Sequence, residues 1–211
     1  MPRPDNCPTS ELDPFALDFL ETPYPYHTAL REAGPAVWIE KDDVVAMARY
    51  REVRAAVTDW ETYCSSRGVG LTDFATEDPW RPPSIILEAD PPLHTKTRGV
   101  LMKVLSRPAL QALSEGFRKK ADKLIARLLD MGEIDAVRDL AEAFPLSVFP
   151  DAIGLCEGGR ENLLPYGNMA FNAFGPRNEL FEEAFANAQP VVQWITDQCR
   201  REALAPGGIG R

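Results

Sequence analysis

Residues Asp90 to Arg98 read Asp-Pro-Pro-Leu-His-Thr-Lys-Thr-Arg, the densest run of chemistry-bearing side chains in the sequence. Asp90 is a good helix N-cap, and Pro91 and Pro92 suit a first helical turn, where a missing N–H costs nothing. His94 and Arg98 then stand at i and i+4 on one face of the new helix. Two donors near the positive start of a helix suit a ligand that carries carboxylates. The same spacing also allows a purely local arrangement, with Arg98 paired to Asp90 or Glu88 and His94 an ordinary surface residue.

Two further groups could shape a pocket. In Trp80-Arg81-Pro82-Pro83-Ser84 the prolines stiffen the backbone and hold a guanidinium and a hydroxyl three residues apart, ahead of apolar Ile85, Ile86 and Leu87. Guanidinium plus hydroxyl is good chemistry for a carboxylate. A surface pair between Arg81 and Glu77 or Asp78 is equally compatible with the sequence. In Met169 to Pro176, Phe171 and Phe174 are three apart, a spacing that predicts a shared helical face. Two rings there would suit a flat aromatic ligand through offset or edge contacts, or would simply pack in a core.

Charge is unevenly spread. The 211 residues carry −9 in total. Residues 94 to 127 nevertheless hold nine basic side chains, Lys103 and Arg107 among them, against Glu115 and Asp122. A solvated helix face accounts for this; so would a surface that steers an acidic partner. Nucleic acid is disfavoured, because aromatics do not interleave with the basic residues and the chain is acidic.

The elements that must position these groups are mostly helical. Phe117, Ala121, Leu124, Ile125, Leu128 and Leu129 keep a helical period that Gly132 should stop. Leu140 to Leu155 predicts a buried helix kinked by Pro145 and Pro150. Leu180 to Cys199 predicts one long amphipathic helix, bent at Pro190. Val37 to Ile39 and Val44 to Met47 predict a hairpin, and Ile134 to Val137 a short strand. Residues 68–88 lack periodicity and read as a long loop. The fold class expected is mainly α with a small β-sheet. Residues 1–22, rich in Pro and Asp, read as an extended leader over the surface, and 23–211 as part of a single domain.

An apolar content of 45% is enough for a sizeable core. No run of eighteen apolar residues occurs and no signal-peptide pattern is present, so no membrane span and a cytoplasmic location are expected. Cys7, Cys64, Cys156 and Cys199 are scattered, which argues against disulfides and zinc.

The string from Asp90 to Arg98 resembles the start of the C helix in the cytochrome P450 family, the haem-thiolate monooxygenases. Soluble bacterial members carry Asp-Pro-Pro-x-His-x-x-x-Arg there. Other stretches resemble the family in order. Tyr24-Pro25-Tyr26-His27 through Pro35 resembles the A helix and its exit, the predicted hairpin the first two strands, Tyr50 to Trp60 the B helix, and Gly68 to Glu88 the B–C loop. The resemblance covers residues 20–204 and implies the A to G helices, the N-terminal part of that fold.

The resemblance implies haem b as cofactor, with His94 and Arg98 on its propionates. No cysteine here has the Phe-Gly-rich context of the family's iron ligand, so no metal ligand is assigned and that ligand is expected in a C-terminal half. It implies insertion of one oxygen atom from O₂ into a C–H bond, with electrons from a [2Fe-2S] ferredoxin and its NAD(P)H-dependent reductase docking near Lys103 and Arg107. Arg81, Ser84, Leu87, Phe171 and Phe174 resemble the pocket of bacterial members that oxidise para-substituted benzoic acids, by hydroxylation or O-demethylation. Two alternatives stay open: a truncated, non-catalytic helical ligand-binding or interaction module, and a peroxide-using member of the family.

Overall fold

The computed structural model describes residues 3–211. The described residues divide into two compact units, 3–95 with 174–176, and the remainder.

The first unit is built on a three-stranded sheet in the order β1 (Thr9–Ser10), β2 (Val37–Ile39), β3 (Val44–Ala46). The hairpin expected from the apolar runs forms, with Val37 opposite Ala46 and Ile39 opposite Val44. Every residue of β2 is buried, as a central strand requires. Helices α1 (Leu17–Glu21) and α2 (Pro23–Ala33) follow β1. Pro23 opens α2, where its missing N–H is harmless. Phe19, Leu30, Val37 and Ile39 form the core, and Tyr26 stacks on Phe19 at 4.8 Å.

The leader therefore differs from expectation. Rather than looping over the surface, it contributes β1, which pairs parallel to β2, and α1, whose Phe19 enters the core. Its polar composition concealed one buried ring and two ladder residues. Helix α3 (Tyr50–Thr58) matches the predicted B helix, and residues 68–88 form the loop expected of them.

Helix α4 (Leu93–Val104) begins after the two prolines, not with them. It buries none of its residues, and Val100 and Met102 stay exposed. Within the second unit, α5 (Arg107–Met131) ends where Gly132 takes φ 78°, a conformation costly for a residue with a Cβ. Ala143–Ile153 forms α6, with Pro150 inside it and Gly154 turning left-handed at its end. Leu163–Asn172 forms α7 and Glu179–Ala188 forms α8; these two pack together.

Two sequence readings need correction. The stretch predicted as a strand, Ile134 to Val137, enters a π-helical turn over Ala136–Glu142. Asp135 decides this: its carboxylate accepts the N–H of Val137 and of Arg138, both at 2.9 Å, while Asp139 accepts the N–H of Asp135. Side-chain capping outcompetes a four-residue strand with no partner. The long stripe from Leu180 to Cys199 is interrupted rather than bent. A 3₁₀ turn over Gln189–Val191 separates α8 from α9 (Val192–Gln198), because Pro190 cannot donate into a continuing helix.

Candidate functional site

His94 lies in the first turn of α4 and Arg98 one turn later. Four residues along a continuous helix put them on one face, as the spacing predicted. The half-buried His94 lines a crevice of about 270 Å³ with Val57, Thr58, Trp60, Leu87 and Asp90. Its main-chain N–H donates to the Asp90 carbonyl at 3.0 Å. Arg98 is exposed and makes no ion pair with a described residue. The local alternative, Arg98 held by Asp90 or Glu88, is not what the structure shows, because both acids are engaged elsewhere.

Asp90 does not cap the helix with its side chain. Its carboxylate accepts the N–H of Ser65 at 2.8 Å and of Ser66 at 3.1 Å. The Ser65 N–H, foremost, holds this carboxyl below its ordinary range; Ser66 and the nearby His94 lower it further. The small-residue exit from α3 is thereby tied to the residue that precedes the helix.

Glu88, offered by the sequence only as a local partner for Arg98, organises the second group. Its side chain is 1% exposed. Arg81 donates Nη2 to Glu88 Oε1 at 2.8 Å and Nη1 to Oε2 at 3.1 Å. Ser84 donates its main-chain N–H to the same Oε2 at 2.7 Å. Arg81 Nη1 also reaches the Pro82 carbonyl at 3.0 Å, and the guanidinium lies 5.2 Å from the Trp80 ring centre. Glu77 and Asp78 are not its partners. The Ser84 hydroxyl accepts the N–H of Ile86 at 3.2 Å and of Leu87 at 3.1 Å, closing a tight turn. One signal of Glu88's role was in the sequence: an acid directly after Ile85-Ile86-Leu87 and before Ala89 is a charge in apolar company, which must find a cation.

Phe171 and Phe174 do not share a helical face. Helix α7 ends at Asn172, so Phe171 is helical and Phe174 lies in the following turn. Phe171 is 80% exposed. The Phe174 carbonyl accepts the Leu71 N–H at 2.9 Å, and a Cβ on Gly70 would stand 2.6 Å from that carbonyl oxygen. The loop after Gly68 is thus pinned to the turn that carries Phe174, and only glycine permits the approach.

Lys103 falls in the last turn of α4 and Arg107 opens α5; both are exposed. Further along α5, Lys120 is committed to the Asp151 carboxylate and the Ser147 carbonyl, and Asp151 also accepts Arg160 at 2.7 Å. Lys120, Lys123 and Arg127 border a crevice of about 400 Å³ with Leu124, Ala143 and Ser147.

No protein-family model matches the chain. Over 200 residues it is 58% identical to cytochrome P450 CYP199A2 of Rhodopseudomonas palustris, a match covering 94% of this chain and 48% of that protein. This chain is similar to a cytochrome P450 along nearly its whole length. A putative cytochrome P450, YjiB of Bacillus subtilis, is 24% identical over 87% of the chain and 42% of its own length. Among solved structures, CalO2 superposes with a TM-score of 0.64 at 21% identity, covering 93% of this chain and 50% of that one. The cytochrome P450 CYP109Q5 of Chondromyces apiculatus gives 0.61 at 18% identity, covering 94% and 49%. The chain spans about half the length of these relatives. Its mainly helical fold with a small sheet is therefore a P450 fold over that span. Among the described residues no helix is long and apolar enough to cross a membrane.

The P450 family is haem-dependent. The donors along α4 suit such a group: the exposed Arg98 guanidinium makes no ion pair with a described residue, and the His94 imidazole lines a crevice.

Proposed function

We propose that the protein containing this chain is a haem-dependent monooxygenase acting on a small aromatic carboxylic acid. The single observation that carries the class is the 58% identity to a P450 along nearly all of this chain. Bound haem supplies the oxygen chemistry, and the protein binds and orients. In this reading His94 and Arg98 each donate to a propionate of the haem. Arg81 and Ser84 hold the acid end of the substrate. Leu87 and Phe174 are its apolar contacts.

The chemistry of Arg81 supports the acid. Its guanidinium is half-buried, so a carboxylate bound to it exchanges strong hydration for charge-assisted hydrogen bonds in a partly dry setting. Fixing the acid end turns the opposite, para end of the ring toward the site of oxidation. Electrons come from a ferredoxin of acidic surface, for which the basic run including Lys103 and Arg107 is suited.

The experiment is a substrate-induced spin-state titration of the haem-loaded, full-length protein with 4-methoxybenzoic acid and its methyl ester. The acid should bind at least about tenfold tighter than the ester, and Arg81→Ala should remove that preference. Equal binding of acid and ester by the wild type would exclude an anionic substrate, and the family assignment would stand regardless.

A further inference from the structure

Resting on the acid-binding role proposed for Arg81, we infer that Glu88 is the positioning residue that presents one edge of the Arg81 guanidinium to a ligand carboxylate. The hydrogen-bond inventory decides which edge. Arginine has five N–H groups. Glu88 takes the end-on pair, one from each Nη, and the Pro82 carbonyl takes a second from Nη1. The Nε–H and the outer Nη2–H remain, side by side, with no partner among the described residues. That side-on fork matches the two oxygens of a second carboxylate.

Glu88 holds the fork in place for a physical reason. Its carboxylate is 1% exposed, so releasing Arg81 would leave an unpaired buried charge. The Ser84 N–H on the same Oε2 gives the carboxylate a third bond. Trp80 stands 5.2 Å from the guanidinium centre and restricts its tilt. The arginine is therefore locked before any ligand arrives, and little rotamer entropy is lost on binding. The locked pair is also neutral overall. Recognition then rests on two parallel hydrogen bonds rather than on bare positive charge. A carboxylate fills both donors, whereas a primary amide offers one oxygen and sets an N–H against the other.

The test uses the haem-loaded, full-length protein with benzoic acid and benzamide as probes, read by calorimetry and by spin-state titration. Glu88→Gln keeps the side-chain volume but breaks the fork. It should weaken benzoate binding about tenfold while leaving benzamide within about twofold. Arg81→Gln should weaken benzoate at least as much. The double variant should be no weaker than Arg81→Gln alone, because both changes remove one interaction. Equal loss of both probes in Glu88→Gln would make Glu88 a plain loop staple and overturn the inference. Unchanged or tighter benzoate binding would overturn it too, making Glu88 a bystander or a competitor. A benzoate affinity indifferent to Arg81→Gln would instead remove the acid-binding reading beneath it. If Glu88→Gln fails to accumulate as a haem protein, Glu88→Asp withdraws the carboxylate by one methylene; selective loss of benzoate supports the inference, and retention of both probes overturns it.

Discussion

The Asp90 carboxylate accepts the main-chain N–H of Ser65 at 2.8 Å, joining two segments 25 residues apart just before the helix that carries His94 and Arg98. An acid that reads as a helix cap serves instead as a clamp on the preceding chain, and its own carbonyl is what meets the His94 N–H.

That clamp predicts an acid-side dependence of stability. The Ser65 N–H lowers the Asp90 carboxyl from its ordinary value of 3.8. A group whose folded value is depressed contributes stability above its unfolded value, and loses it as pH falls through the lower folded one. Asp90→Ala should therefore melt lower than wild type at pH 7, and the gap should close as pH drops below about 3.8. Thermal melts of the two proteins across that range check this; a gap that persists unchanged at low pH would assign the clamp no ionic character.

His94 and Arg98 predict haem retention. In the full-length protein, Arg98→Ala should cost about 2–3 kcal/mol of haem binding as a lost charge-assisted bond. Transfer of haem to an excess of apomyoglobin measures it, with His94→Ala as a second variant. Retention unaltered in both would move the propionates elsewhere.

Reduction kinetics test the basic surface. Lys103→Glu or Arg107→Glu should slow reduction by an acidic ferredoxin, and the slowing should be largest at low salt, since exposed charges are screened beyond about 10 Å at 0.1 M. Stopped-flow rates against ionic strength provide the comparison. Rates indifferent to both reversals would place the docking surface on another face.

The α7–α8 pair predicts a large core effect. Phe181 is 3% exposed, stacks on Phe185 at 5.5 Å and lies beneath the Arg177 guanidinium at 4.1 Å. Phe181→Ala should cost about 3–5 kcal/mol through the cavity it leaves. Denaturant unfolding against Phe185→Ala, whose ring is far more exposed, separates the buried contribution from the stacked one.

The legible parts of the fold were those with a dominant local signal. The hairpin was readable because apolar triplets flank a Lys-Asp-Asp turn, and α5 because its period runs uninterrupted to a glycine. The strand misread at Ile134 failed because β-propensity was weighed without the Asp135 cap. The start of α4 was misplaced because proline tolerance in a first turn does not require proline to be there. At the site, the placement of His94 and Arg98 on one helix followed from spacing. The Glu88 pair did not, since a buried acid shows itself only when the chain around it closes, and Phe174 was misassigned because the helix stopped two residues short of it.

Strand β1 has a consequence for the order of assembly. Its bonds to β2, from Trp38 N–H to the Pro8 carbonyl at 2.8 Å and from Glu40 N–H to the Ser10 carbonyl at 3.2 Å, enclose both α1 and α2. During synthesis β1 can find its register only after β2 has left the ribosome and the intervening helices have shortened the loop between them. Chain trimmed ahead of Leu12 would turn β2 from a central strand into an open edge, with Trp38 at its middle: a surface ready to pair with another nascent chain.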